Sequence, residues 1–196
     1  MTRFVGSLIG AGFGLAFVLA NSGPPLDPTA ALVLRVFAVA ALAGVVALAA
    51  ATVRRSGPAA EASPEGPGMR FDAFYSVVVV LELVLLFGGI QVLRALDAPM
   101  QANVAWIALA VGLHFLPLAW HWRTRSLLAV AVYMSVLGAA GLAMALTGHP
   151  DWVPLVSGVV TGLGMLTGLL VGLLAGLVAT GRSGAASADT APTPSP

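Results

Sequence analysis

An all-α, polytopic membrane bundle of six transmembrane helices is the fold that the sequence predicts, and three observations predict it. Charged residues make up 9% of the 196-residue chain and hydrophobic residues 59%, whereas a soluble domain carries about a quarter charged residues. Mean hydropathy is +0.97. Apolar runs near the roughly 20 residues that a helix needs to cross a bilayer recur at 4–20, 30–53, 71–95, 103–122, 127–147 and 153–179. Because the runs are continuous, they predict helices; barrel strands would alternate in and out over about ten residues.

The first run follows Arg3 and carries Gly6, Gly10 and Gly14, a ladder suited to close helix packing in lipid. Arg3, the apolar core and Val18-Leu19-Ala20 before Asn21 also have the form of a signal peptide with a small-residue cleavage site. The ladder favours retention, since a packing face has no use in a discarded peptide. The second run begins behind Leu26-Asp27-Pro28, the fourth behind Leu96-Asp97-Ala98-Pro99 and the sixth behind Pro150-Asp151-Trp152. Aspartate at an N-cap and proline in the first turn are helix starters.

Between the second and third runs, residues 54–70 (RRSGPAAEASPEGPGMR) are rich in Pro, Gly, Ala and Glu and predict a flexible cytoplasmic loop. The third run contains Glu82. The fourth contains His114 and Pro117 and ends on His121 between Trp120 and Trp122, which resemble an interfacial belt. The fifth carries Tyr133 and Ser135. In the sixth, Gly164, Gly168, Gly172 and Gly176 repeat every fourth residue, after Gly158 and Gly162. Glycine faces let backbones approach, so the first and sixth helices are predicted to be neighbours, within one chain or across a homo-oligomer interface. Residues 1–180 thus form one transmembrane domain, and the tail 181–196 (GRSGAASADTAPTPSP), without apolar periodicity, is expected to be disordered.

Orientation follows from the arginines. The basic residues number 9, all of them arginine. Arg3, Arg54, Arg55, Arg70, Arg123, Arg125 and Arg182 fall on one side of the predicted topology. By the positive-inside rule that side is the cytoplasm and both termini are cytoplasmic. Arg35 and Arg94, near the outer ends of their helices, are long enough to snorkel to the headgroups.

Composition excludes several functions. Without lysine and with a net charge of +1, the chain has no basic surface for nucleic acid and no phosphate-binding G-x-x-x-x-G-K-[ST] loop. With no cysteine, disulfides and thiol chemistry are absent. His114, His121 and His149 belong to mid-membrane, inner edge and outer edge, so they make no zinc set, and no cofactor is expected. Nor is there a GxSG motif of the kind rhomboid proteases carry. The sequence reads as a non-enzyme whose main partner is the lipid bilayer.

Chemistry, if any, belongs to the two ionisable groups deep in the apolar runs. A charged side chain at mid-bilayer costs about 2.5–3.5 kcal/mol on insertion scales. Glu82 lies roughly 16 Å, and His114 roughly 12 Å, from the inner ends of their helices. These helices are joined by the short segment 96–102, so a Glu82–His114 contact is expected. Such a pair either glues two helices together or handles a proton or ligand. Pro117 cannot donate to the carbonyl of Leu113, which leaves a polar niche one turn from His114. Tyr133, Ser135, Ser157, Thr161 and Thr167 are candidates to extend it, although helical hydroxyls commonly bond back to their own helix.

At Val111–Ala119, VGLHFLPLA, the chain resembles a family of small multi-pass bacterial membrane proteins that carry [IV]GLHFLPLA in a middle helix. The resemblance spans those residues and the layout of spans. It implies a recurring role for His114 and Pro117 but no activity. The Ala/Gly/Arg/Pro bias without lysine suits a high-GC bacterial genome and hence the plasma membrane. The leading expectation is a structural or interaction membrane protein with a Glu-His polar centre. The alternative is a proton-linked small-solute transporter or channel that uses the same pair.

Overall fold

The computed structural model describes residues 5–56 and 72–189. Among them there are no strands, and the helices are α1 (Val5–Asn21), α2 (Pro28–Ser56), α3 (Ala73–Ala95), α4 (Ala102–His121), α5 (Arg125–Leu146) and α6 (Thr161–Asp189). Among the described residues five segments are long and apolar enough to cross a membrane, the last of them starting at Pro150. This is the helical architecture of a multi-pass membrane protein. α1 is shorter than expected of a full span: its 17 residues cover about 25 Å against a hydrocarbon core of about 30 Å. Its end is set locally. Asn21 Nδ2 donates to Phe17 O, the Ser22 hydroxyl to Val18 O, and Gly23-Pro24-Pro25 follows, which cannot continue a helix.

Other boundaries shift for similar reasons. α2 runs through Ser56 and takes in Arg54 and Arg55, which the composition places in the loop; the remainder of that loop lies outside the described residues. α6 continues to Asp189, so residues 181–189 of the expected disordered tail are helical, while 190–196 lie outside the described residues. The sixth run does not open as an α-helix. A 3₁₀ turn over Pro150–Trp152 leads into a π-helical stretch over Pro154–Val160. Pro150 and Pro154 bring no N–H to the first turns.

The three Asp-containing starters do different work. Asp27 caps α2, its Oδ1 accepting from Thr29 N at 2.8 Å and Ala30 N at 3.3 Å. Asp97 instead closes the preceding helix. It sits at φ 51°, with Asp97 N bonded to Arg94 O and Ala98 N to Leu93 O, a Schellman motif. The same closure ends α4, where Arg123 N bonds Trp120 O and Thr124 N bonds Ala119 O. At α5 the left-handed position belongs to Gly148, with φ 86°. Arg123, also at φ 51°, occupies the position that glycine fills without strain. Asp151 lies exposed in the 3₁₀ turn.

α4 and α5 form the tightest pair in the bundle. Their facing residues are small: Ala105, Ala108 and Gly112 on α4, and Ala131, Gly138, Gly141 and Ala145 on α5, are all buried. A Cβ at Gly138 would lie 2.6 Å from Leu109 Cα, and one at Gly112 would lie 2.6 Å from Ser135 Oγ. α1 packs on both α6 and α2. Gly14 and Gly162 face each other there, with Gly162 O 3.0 Å from a Cβ added at Gly14. A Cβ at Gly10 would touch Leu169 at 3.5 Å, whereas one at Gly168, Gly172 or Gly176 would meet nothing within 4 Å. The approach of the two helices therefore runs through Gly14 and Gly162, and the ladder below Gly164 faces outward.

Candidate functional site

α3 is the most weakly embedded helix. Val78 is its one buried side chain, and Val77, Val80, Leu81, Val84 and Phe87 are exposed, as a lipid-facing surface would be. Its less exposed residues, Tyr75, Val78, Val79, Glu82, Leu86, Gly89, Ile90 and Leu93, recur at three- and four-residue steps. They make one helical face, and α3 has its principal contacts with α4. Glu82 lies in the middle of that face.

Three polar rungs join α3 to α4. In the middle, Glu82 Oε2 stands 3.3 Å from His114 Nδ1, with side-chain exposures of 19% and 7%. The two atoms approach without hydrogen-bond alignment, and Nδ1 is buried with no hydrogen-bond partner. The His114 ring meets Phe115 edge-on, with centroids 5.1 Å apart. Toward the start of α4, Trp106 Nε1 lies 3.2 Å from the carbonyls of both Leu85 and Leu86. The indole covers Gly89, where any Cβ would overlap it. At the arginine-rich end, His121 Nε2 stands 3.3 Å from Asp72 Oδ2. His121 also stacks on Phe74 at 4.4 Å, and Tyr75 stacks on Trp122 at 6.1 Å.

The rungs match because the helices run antiparallel. Ten residues separate Asp72 from Glu82 and seven separate His121 from His114, roughly 15 and 10 Å along the two helices. Sequence reasoning pairs Glu82 with His114 but treats His121 as a boundary anchor only. The seven-residue spacing of the histidines was the available signal for a second carboxylate partner. Trp106–Gly89 left no such signal, since Gly88-Gly89 reads as an ordinary small pair.

Asp72 has a second role at the start of α3. Its Oδ1 accepts from Tyr75 N at 2.9 Å, an N-cap bond. That backbone N–H first, and His121 second, hold its carboxyl below the ordinary value of 3.8. A carboxylate with a depressed folded-state pKa stabilises the fold fully above its unfolded value and loses that contribution as pH falls through the folded value. Protection of the Tyr75 and Ser76 amides against exchange is therefore expected to drop below about pH 3.8 and to show no such step in Asp72→Ala. A step of equal size in the variant would show that Asp72 is not the titrating group.

The remaining candidates lie elsewhere. Tyr133 does not extend the pair: its hydroxyl donates to Val160 O at 2.6 Å, at the end of the π-helical stretch, and its ring covers Gly164. A π turn passing into an α-helix disturbs the backbone ladder, and Tyr133 answers one carbonyl there. Ser157 Oγ similarly bonds Leu137 O at 2.8 Å, so α5 holds this stretch twice. Thr167 bonds back to Leu163 O at 2.7 Å. Ser135 Oγ and Thr161 Oγ1 are buried without a hydrogen-bond partner. Pro117 lies on an open groove near the α4–α5 turn. Arg35 bonds the Ser22 carbonyl at 2.6 Å through Nη2, so it ties down the α1–α2 connection rather than simply reaching for headgroups.

Among the described residues no three His, Asp or Glu side chains gather as metal ligands. No protein-family model, curated protein or solved structure matches the chain.

Proposed function

We infer that this protein is a small structural or interaction protein of the bacterial plasma membrane, with both termini cytoplasmic and no catalytic activity, in which Glu82 and His114 form a polar centre that fixes α3 on α4. The observation that carries this reading is the sparse burial of α3. With Val78 alone buried on that helix, apolar packing gives little to hold it, and in lipid there is no hydrophobic gain from helix pairing to replace it. Polar contacts and close packing then decide whether α3 stays docked. The remaining exposed face of α3 is available to lipid or to another membrane segment.

The test compares stability with flux. Glu82→Gln and His114→Ala are expected to lower the unfolding temperature of the purified protein and to leave proteoliposome permeability to protons and small solutes at the level of empty vesicles, as for the unaltered protein. Should the unaltered protein instead carry a pH-gradient-driven flux that either substitution abolishes while stability is unchanged, the pair serves transport and the structural reading fails.

A further inference from the structure

The turn between α4 and α5 carries an open groove that the α3–α4 contacts do not use. Leu116, Pro117, Trp120 and Leu128 line it together with Arg123 and Arg125, and its exposed lining is almost entirely apolar. Leu116 is five residues before the end of α4 and Leu128 three residues after the start of α5, so the apolar walls reach roughly 5–8 Å in from the facing ends of the two helices. Trp120 is 86% exposed, which suits an indole at the headgroup level of a bilayer.

Among the described residues, neither the Arg123 nor the Arg125 guanidinium has an ion-pair or hydrogen-bond partner, whereas Arg35 is bonded to a carbonyl. Arg123 is also held at φ 51°, where glycine closes the same motif without strain. A long cation kept at a strained position beside a second cation points to the side chain as the reason. We propose that this groove seats an anionic phospholipid of the leaflet at the arginine-bearing end, its phosphate between Arg123 and Arg125 and the start of an acyl chain along Leu116, Pro117 and Leu128. Guanidinium pairs are suited to phosphate, and basic pockets at the ends of membrane helices recognise lipid headgroups by that chemistry. The proposal does not depend on the role of Glu82 and His114.

Native mass spectrometry of the delipidated full-length protein, titrated with phosphatidylglycerol or phosphatidylcholine, tests it. One arginine near an anionic headgroup contributes about a fivefold preference, so the unaltered protein is expected to favour phosphatidylglycerol by about tenfold or more. Arg123→Gly with Arg125→Gln removes the preference while the unfolding temperature holds or rises, because glycine relaxes the turn. Leu128→Trp, which fills the groove and keeps both charges, weakens binding of phosphatidylglycerol. Equal affinity for the two lipids overturns the proposal, as does a preference that survives the double substitution. Inorganic phosphate displacing phosphatidylglycerol at equal concentration would also overturn it, since the apolar walls would then add nothing.

Discussion

Valine in place of Gly138 is expected to destabilise the fold by about 3 kcal/mol, the upper end of the range for overpacking. The reason is what a side chain would meet. A Cβ at that position falls 2.6 Å from Leu109 Cα, and a backbone atom cannot turn aside as the tip of a flexible side chain can. The two helices must separate, and α4–α5 is the tightest contact in the bundle. Without a hydrophobic gain to draw the helices back, the dispersion lost along Ala105, Ala108, Ala131 and Ala145 is not replaced. Gly168→Val is the matched control, because a Cβ there meets nothing within 4 Å and valine is a better helix residue than glycine. Thermal unfolding of the purified variants is expected to show a large fall for the first and none for the second. Equal unfolding temperatures would mean that α4 and α5 are not in close backbone contact at Gly138.

Helix positions were legible because the bilayer imposes a length and the backbone must be satisfied inside each segment. The expected run 103–122 became Ala102–His121, and 127–147 became Arg125–Leu146. Helix ends were less legible where turn chemistry decides them. Asp97 reads as a helix starter, yet it closes α3, since aspartate serves at an N-cap and also tolerates a left-handed backbone. The glycine ladders drew attention to α1 and α6, where Gly14 and Gly162 meet, but an even period says nothing about which turns face a neighbour. α4 and α5 use a mixed Ala/Gly stripe of the same spacing, hidden in a chain where alanine is common. The π-helical start of the sixth run had no signal beyond Pro150 and Pro154. For the Glu82–His114 contact, similar depth and a short connection were enough, because the energetic penalty of an unpartnered group in lipid narrows the choices. Depth could not distinguish Tyr133, which lies on a different helix face and bonds Val160 O.

The Glu82–His114 contact is expected to be asymmetric when its halves are removed separately. His114→Phe leaves a carboxyl group facing hydrocarbon and the Phe115 side of α4, and a loss on the order of 2–3 kcal/mol follows from the cost of an unpartnered carboxyl group at that depth. Glu82→Leu leaves an imidazole, which has a smaller demand for a partner, on a residue that is 7% exposed, and should cost about 1 kcal/mol. Combining the two substitutions restores an apolar seam. The leucine replacing Glu82 would continue the stripe of Val78, Val79 and Leu86, and the double variant should lie within about 1 kcal/mol of the unaltered protein. The coupling between the two sites is then about 2–4 kcal/mol. Trp106 on Gly89 and the Asp72–His121 rung hold α3 near α4 throughout, which keeps the cycle confined to the middle rung. Additive losses would mean that the 3.3 Å approach of Oε2 to Nδ1 carries no net energy. Docking of α3 would then rest on the indole at one end and the aspartate at the other.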